Sequence, residues 1–282
     1  MLECVVNVSE GRDHRVLAQL AQAAGPCLLD VHTDAGHNRS VLTLAGPPAE
    51  VAPAARAVAQ ATVASLDLRR HRGAHPRIGV LDVVPWVALE GPPVRDALPP
   101  QGPGLARQAR DAFAVWAASE LALPVFLYGP ERSLPEVRKT AWRSLVPDYG
   151  PPSPHPTAGA AAVGCRPLLV AYNLWLADRD LALAKAVAAA VRGPQLRALG
   201  LAVGSGVQVS CNLVAPFVLG PAQVWDMVAA RADIERAELV GLVPEAVLQA
   251  VPRPRWRQLG LSPERTIEAR LEQQAKAAGR GR

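Results

Sequence analysis

Apolar and polar positions along the chain follow two different periods, which predict strands and helices in succession. The segment LECVVNV is typical of a short strand, and RVLAQLAQAA has apolar residues at the spacing of a helix. Ser9 is the predicted N-cap of that helix, and Gly25 with Pro26 its predicted end. In the first half of the chain, the same criteria predict further strands in CLLDVHTD, SVLTLAG, VLDVVPWVAL and LPVFLYG, and helices in PPAEVAPAARAVAQATVASL and in residues 104–121.

The stretch from residue 130 to residue 164 differs, because Pro, Gly and small residues dominate it, as in PDYGPPSPHPTAGAAAVG. We expect no regular structure there, and an ordered loop of this length is usually functional or a linker. After it, the sequence predicts a strand in RPLLVAYNLWL, a helix in DRDLALAKAVAAAVRG, one or two strands in LGLAVGSGVQVSCNLVAP, a helix in QVWDMVAARADIERA, a strand in ELVGLVP and a last helix in SPERTIEARLEQQAKAAG.

This order of elements predicts a fold of the α/β or α+β class, built from two layered α/β subdomains whose sheets are flanked by helices. We place residues 1–167 in the first subdomain and residues 168–282 in the second. A chain of 282 residues, half of them hydrophobic, is long enough to form such cores.

The net charge is +5, from 30 basic and 25 acidic residues, and part of the excess lies in LRRHRGAHPRIG. Nucleic-acid binding usually adds stacking aromatic residues to such a stretch, but the first aromatic residue after it is Trp86. We therefore favour a small ligand with several carboxylates over a nucleic acid.

The four cysteines lie far apart and form no CxxC pair, which indicates free thiols in a reducing compartment. The first residues, MLECVVNVSEGR, hold acids and no apolar signal core. No apolar run reaches the length of a membrane span. We expect a cytoplasmic protein with no membrane partner.

A histidine in the loop before the fourth predicted strand is the first candidate for chemistry. Gly73 and Pro76 bracket His75, so a stiff backbone aims an imidazole whose ordinary pKa of ~6.5 suits a general acid or base. Arg77 has the fork of donors that binds a carboxylate bidentately. Asp82 has two candidate roles, which are to orient the imidazole or to bind the loop's own backbone. The alternative is a surface turn with satisfied histidines.

A second polar cluster, DVHTDAGHNR, lies between two predicted strands. Zinc binding by His32, Asp34 and His37 is conceivable, but such spacings on a loop are weak evidence without a fourth ligand, and we expect no metal. We favour recognition of a polar amino acid by Asp34, Asn38 and Arg39, with an Asx-rich turn as the alternative. Nucleotide binding is not expected, because GLAVGSG is not followed by GKS or GKT.

Several motifs of this chain resemble those of a known family and occur in the same order. The glutamate formiminotransferase family has motifs similar to ECVVNVSEGR, HNRSVLTLAGPP, RRHRGAHPRIGVLDVVP, LALPVFLYG and PDYGP…GAAAVGCRPLLVAYNLWL, and the resemblance spans nearly the whole chain. It implies two α/β subdomains whose sheets form a substrate cleft. It also implies transfer of a formimidoyl group from N-formimidoylglutamate to tetrahydrofolate without a metal, and it permits a homodimer.

By this resemblance His75 is the catalytic histidine, which moves a proton as a folate nitrogen attacks and as the glutamate amine leaves. The family has an acid where this chain has His32, and Asp34 is the implied substitute. The residues implied to bind substrate are Asn38, Arg39, Arg77, Asp82, Arg166 and Asn173, of which the arginines meet glutamate or polyglutamate carboxylates. The residues implied to bind folate are Gly150, Pro151, Ser153, His155, Thr157 and Gly159.

The chain also departs from the family pattern. Pro154 and Ala158 replace aromatic residues of the folate loop, which removes stacking surface for a pteridine ring. Two alternatives therefore stand beside formimidoyl transfer: a non-catalytic or regulatory binder of folate or another acid, and a glutamate formyltransferase.

Overall fold

The computed structural model describes residues 1–89 and 103–279, which form two compact units that meet in sequence at residue 166. Each unit has one β-sheet with helices packed against it, as the α/β prediction requires. The elements of the first unit are β1 Leu2–Val8, α1 His14–Ala24, β2 Leu28–Asp34, β3 Arg39–Gly46, α2 Pro48–Ser65, β4 Leu81–Ala88, α3 Pro103–Glu120, β5 Val125–Tyr128, α4 Leu134–Thr140 and β6 Ala161–Cys165.

The sheet of the first unit has six strands in the order β2-β3-β1-β4-β6-β5. The first four pair antiparallel, whereas β4, β6 and β5 pair parallel. The register of β1 against β4 shifts at one point, because Asn7 faces Val83 and Val8 faces Leu81. Asp82 is the extra residue of this bulge, and bulges commonly re-aim a side chain beside a functional site.

Helices cover the two faces of this sheet unequally. Helices α1, α2 and α3 pack on one face around buried residues such as Leu44, Trp86 and Phe113. The short helix α4 packs on the opposite face, where its Val137 meets Phe126 in a smaller apolar cluster. The second face therefore leaves room for the polar side chains of β1 to β4.

The start of α1 corrects one prediction. Asp13, not Ser9, is the N-cap, and its carboxylate accepts hydrogen bonds from the backbone of Arg15 and Val16. Ser9 instead donates its hydroxyl to the carbonyl of Gly79 at 2.8 Å. A residue chosen for its capping chemistry thus ties the end of β1 to the loop before β4.

The prediction of no regular structure between residues 130 and 164 is wrong, since α4 and β6 both lie there. Ser133 caps α4 by accepting from the backbone N–H of Glu136. Strand β6 has the sequence AAVGC, and all five of its residues are buried between β4 and β5. The small side chains are needed, because a Cβ on Gly164 would lie 2.2 Å from the ring of Tyr128.

The second unit has four strands, β7 Val170–Leu176, β8 Leu196–Val203, β9 Gly206–Leu213 and β10 Ile234–Val240. They form an antiparallel sheet in the order β10-β7-β9-β8. The predicted helix in QVWDMVAARADIERA is shorter than expected and ends at residue 229, because residues 234–240 hydrogen-bond to β7 instead. The helices of the second unit are α5 Leu181–Val191, α6 Pro221–Ala229, α7 Glu245–Gln249 and α8 Ile267–Gly279. Of these, α7 was not predicted.

In the first unit, the loop before β4 is joined backbone to backbone with the loop before β6. The N–H of Val80 donates to Ala158, and the N–H of Ala160 donates to Ile78, at 2.9 and 3.0 Å. The chains approach so closely that a Cβ on Gly79 would lie 1.9 Å from the carbonyl oxygen of Ala160. Glycine at position 79 is therefore a steric requirement of this junction.

We expect Gly79→Ala to lower the free energy of unfolding by about 2–3 kcal/mol, because the new methyl group must push two backbones apart. Urea unfolding followed by circular dichroism measures the change. Gly193→Ala is the control, since a Cβ there meets nothing within 4 Å. Equal stability of the two variants would contradict the close approach.

Candidate functional site

A fully buried carboxylate lies at the centre of the polar face of the first unit. Asp82 accepts hydrogen bonds from the guanidinium groups of Arg39 and Arg138, at 2.5 and 2.7 Å, and from the backbone N–H of Ile78 at 2.9 Å. Burial alone would raise the pKa of Asp82, but the two cations outweigh it and hold that pKa at about 2. Asp82 thus binds the loop's own backbone, which is one of its two predicted roles.

Arg39 was predicted to meet a substrate carboxylate, and the structure gives it partners within the protein. One terminal nitrogen binds Asp82, and the other donates to the side-chain oxygen of Asn7 at 2.7 Å. Three strands, β3, β1 and β4, are thus joined at one point. In this structure the guanidinium of Arg39 therefore holds neighbouring strands together.

Arg77 likewise closes its own loop. Its terminal nitrogens lie 2.6 Å from Nδ1 of His71 and 2.8 Å from the carbonyl oxygen of Gly73, and one of them also donates to the carbonyl of His75. Its terminal nitrogens thus bind the protein, and the bidentate binding of a substrate carboxylate stays a prediction. The loop from residue 71 to residue 77 is fixed from inside by its own arginine.

The hydrogen bonds assign different tautomers to the two histidines of this loop. Nδ1 of His71 accepts from Arg77, so its proton lies on Nε2, which donates to the carbonyl of Asn38 at 2.8 Å. Nδ1 of His75 lies 2.7 Å from the carbonyl oxygen of Pro76, which can only accept, so Nδ1 carries the proton. The lone pair of His75 is on Nε2, and among the described residues no hydrogen-bond partner lies on that nitrogen.

The surroundings of His75 keep its ring neutral. Partial burial and the neighbouring charge of Arg39 lower the pKa of His75 from its ordinary value to about 2. The ring of His37 contacts it edge to face, with 5.8 Å between the centroids. At neutral pH the site therefore presents an unprotonated imidazole nitrogen, which is a base rather than an acid.

The cluster DVHTDAGHNR forms the wall against which this loop packs. Asp34 accepts from the backbone of His37 at 2.7 Å, which confirms the Asx-turn alternative. Asn38, at φ 47°, accepts from the N–H of Gly11 and donates to the carbonyl of Arg72. The oxygen and the nitrogen of its amide group both bind the protein, and its role in substrate binding stays a prediction.

His32, the other predicted catalytic residue of the cluster, lies in the edge strand β2 opposite Val41 and is partly buried. It is on the same side of the strand as Asp34, two residues away. The structure places both on the sheet that carries the site. Neither forms the hydrogen bond that orients the ring of His75, because the carbonyl of Pro76 does so.

The predicted folate loop is a tight turn held at both ends. His155 and Gly159 exchange backbone hydrogen bonds of 2.8 and 3.0 Å, and Nδ1 of His155 accepts from the backbone N–H groups of Thr157 and Ala158. Gly150 and Gly159 have positive φ, which glycine adopts without strain. Pro151 is partly buried and Ser153 is exposed at the tip.

The two remaining predicted residues are Arg166 and Asn173. Arg166 follows β6 in the first unit, is partly exposed, and donates its backbone N–H to Trp86. Asn173 lies in β7 of the second unit, where its amide is 3.4 Å from the carboxylate of Glu238. The same carboxylate accepts from the indole of Trp175 at 2.8 Å.

The sequence did not single out Arg138 or Asn7. Arg138 lies in α4, inside the segment for which no regular structure was expected, so nothing indicated where its side chain points. Asn7 lies in the motif ECVVNVSEGR, on the face of β1 opposite the apolar core, and this polar exception in a buried strand was a usable signal.

Within residues 1–89 and 103–279 no group of three or more histidine, cysteine, aspartate or glutamate side chains is arranged to hold a metal ion. A search of the same residues for a helix long and apolar enough to cross a membrane also finds none.

Comparison with known proteins places this arrangement in context. Residues 1–166 match the family model described as the formiminotransferase domain, N-terminal subdomain. The chain is 34% identical to glutamate formimidoyltransferase of Streptococcus pyogenes serotype M1, over 76% of this chain and 77% of that protein. It is 31% identical to glutamate formimidoyltransferase of Thermoplasma acidophilum, over 98% of both. It is also 32% identical to formimidoyltransferase-cyclodeaminase of Sus scrofa, over 89% of this chain but 51% of that longer protein.

We expect the ring of His75 to stay neutral from pH 8 to pH 5, whereas a free imidazole is half protonated near ~6.5. Nitrogen-15 NMR of labelled histidine, with His75→Gln to assign the signal, measures this directly. Half-protonation between pH 6 and pH 7 would contradict the structure.

The same shift predicts the pH dependence of stability. The unfolded chain binds a proton at His75 below ~6.5, but the folded chain does so only near pH 2, so this group lowers stability as the pH falls through that window. We therefore expect His75→Gln to lose less stability than the wild type between pH 6.5 and pH 4 in urea unfolding.

Proposed function

This chain belongs to the formiminotransferase family, and on that premise we propose that it is a glutamate formimidoyltransferase. The proposed reaction moves a formimidoyl group from N-formimidoylglutamate to tetrahydrofolate, which serves as co-substrate. The family match over residues 1–166 and the alignment with the Thermoplasma acidophilum enzyme over 98% of both chains support it.

The observation that carries the mechanism is the lone pair on Nε2 of His75. Four hydrogen-bonding positions on the two histidines of the loop are available, and three of them are occupied by the protein. Only Nε2 of His75 is left for a substrate proton among the described residues. His75 is therefore the proposed base, and His71 is a structural residue.

The proposed chemistry has one bond formed and one broken. A nitrogen of tetrahydrofolate attacks the formimidoyl carbon, and a tetrahedral intermediate results. The proton of the attacking nitrogen passes to Nε2 of His75, and the imidazolium then returns it to the glutamate nitrogen as the carbon–nitrogen bond to glutamate breaks. The products are glutamate and formimidoyl-tetrahydrofolate, and His75 ends as it began.

The low pKa of His75 favours the second of these steps, and the first requires that pKa to rise when the substrates bind. An imidazolium whose proton is weakly held, with a pKa near 2, is a strong acid toward the departing amine. Anionic substrates beside Arg39 offset part of its field and raise the pKa of His75 from that value toward the working pH. Substrate binding thereby adjusts the ring to accept a proton.

The charge of the cluster also favours anionic substrates. Arg39, Arg77 and Arg138 contribute three positive charges, and Asp82 contributes one negative charge, so the cluster has an excess of two positive charges. Both proposed substrates carry glutamate carboxylates. Because the terminal nitrogens of the guanidinium groups are engaged with the protein, we propose attraction through the field of the cluster rather than direct contact as their contribution.

We further propose that the loop from Gly150 to Gly159 binds the folate. Support comes from its attachment to the loop of His75, since Gly79 and Gly159 pair backbone to backbone. Two substrate sites on backbones joined in this way hold their ligands at a fixed separation. Such positioning supplies a large share of the rate enhancement in a two-substrate reaction.

We expect His75→Gln to lower kcat by about 10²- to 10⁴-fold, because glutamine cannot shuttle the proton. Tetrahydrofolate affinity, measured by calorimetry, should change less than about threefold, since the ring is not part of the proposed folate loop. A coupled assay with formimidoylglutamate and tetrahydrofolate gives kcat, and formylglutamate in the same assay tests the formyl alternative.

His14→Gln is the matched control, because His14 is an exposed residue at the start of α1. It should retain wild-type kcat. Unchanged turnover in the His75 variant would remove the proposed role of His75, and absence of transfer by the wild type with either donor would remove the proposed function.

A further inference from the structure

We propose that Arg138 is a positioning residue that fixes which nitrogen of His75 carries the base. The expected effect on kcat rests on the proposed function, whereas the expected effect on the tautomer of His75 rests on the hydrogen bonds alone. Arg138 lies in α4 and donates from one terminal nitrogen to the carbonyl of Pro76 at 2.9 Å and from the other to Asp82 at 2.7 Å. It does not reach the ring of His75 itself.

The carbonyl of Pro76 is the link between the two residues. Its oxygen accepts from Nδ1 of His75 at 2.7 Å and from Arg138 at 2.9 Å. A carbonyl oxygen has two lone pairs, and here both are used. The peptide plane is therefore held in the one orientation that requires a proton on Nδ1 and leaves the lone pair on Nε2.

Asp82 makes this arrangement rigid. The same guanidinium that holds Pro76 is itself held by a fully buried carboxylate, which also binds Arg39 and the N–H of Ile78. The segment from Pro76 to Ile78 is thus attached to one anion at two points, through Arg138 at the carbonyl of Pro76 and directly at the N–H of Ile78. His75 directly precedes this doubly attached segment.

A residue with only a structural role would behave differently. It would change the amount of folded protein, whereas a positioning residue changes the tautomer of the ring and kcat in the protein that is folded. Arg138→Ala confuses the two effects, because it leaves Asp82 with one cation instead of two. Arg138→Lys keeps the positive charge, but a single ammonium group cannot hold Asp82 and the carbonyl of Pro76 in the geometry of the guanidinium fork.

The test is nitrogen-15 NMR of labelled histidine in the wild type and in Arg138→Lys, together with steady-state kinetics of both. In the wild type we expect the His75 ring to be protonated at Nδ1. In the variant we expect a mixture of tautomers, a kcat about 10- to 100-fold lower, and KM values for both substrates within about threefold.

Arg255→Lys is the matched control, because Arg255 forms a comparable two-point pair with Asp226 in the second unit, at 2.9 and 2.7 Å. It should leave both the tautomer and kcat unchanged. The proposal is overturned if Arg138→Lys retains the wild-type tautomer, or if it lowers thermal stability while the folded protein keeps wild-type kcat. The NMR result stands even if the wild type does not transfer formimidoyl groups, so failure of the two proposals can be told apart.

Discussion

The buried charge of Asp82 is the constraint on which the rest of the site depends. A carboxylate without access to water is strongly unfavourable unless it is paired and hydrogen-bonded, so its partners must stay in place. Those partners come from β3, from α4 and from the loop before β4. The β-bulge places Asp82 beside these partners. Pairing of the buried charge therefore also holds the turn that carries His75 in place.

Much of the fold follows from the sequence, because most strands and helices here have clear apolar periods and strong breakers such as Gly25. The failures have physical reasons. Strand β6 consists of small residues and carries no periodic signal, yet its neighbours leave space for nothing larger at Gly164. Residues 234–240 have helix-forming composition, but pairing with β7 overrides it. Such tertiary effects are not visible in a local pattern.

The candidate site shows the same division. The fixed conformation of the His75 loop could be predicted, because Gly73 and Pro76 are typical of a tight turn. The roles of its neighbours were not, because residue type cannot tell a guanidinium that binds substrate from one that binds the protein. Arg39 and Arg77 were expected to bind a ligand. In the structure Arg39 donates to Asp82 and Asn7, and Arg77 donates to the loop of His75. Asn38 joins the backbones of Gly11 and Arg72. Arg138 escaped notice because its helix was not predicted.

The hydrogen bond between Arg138 and Pro76 joins residues that are 62 positions apart in the chain. During synthesis, the first 88 residues already contain Asp82 and Arg39, but the second cation follows only after β5 and α4 have emerged. Until then the aspartate has one of its two guanidinium partners, and the carbonyl of Pro76 lacks its hydrogen bond from Arg138. The contact is long-range, so the chain can fix the orientation of the His75 ring only after α4 has been synthesised.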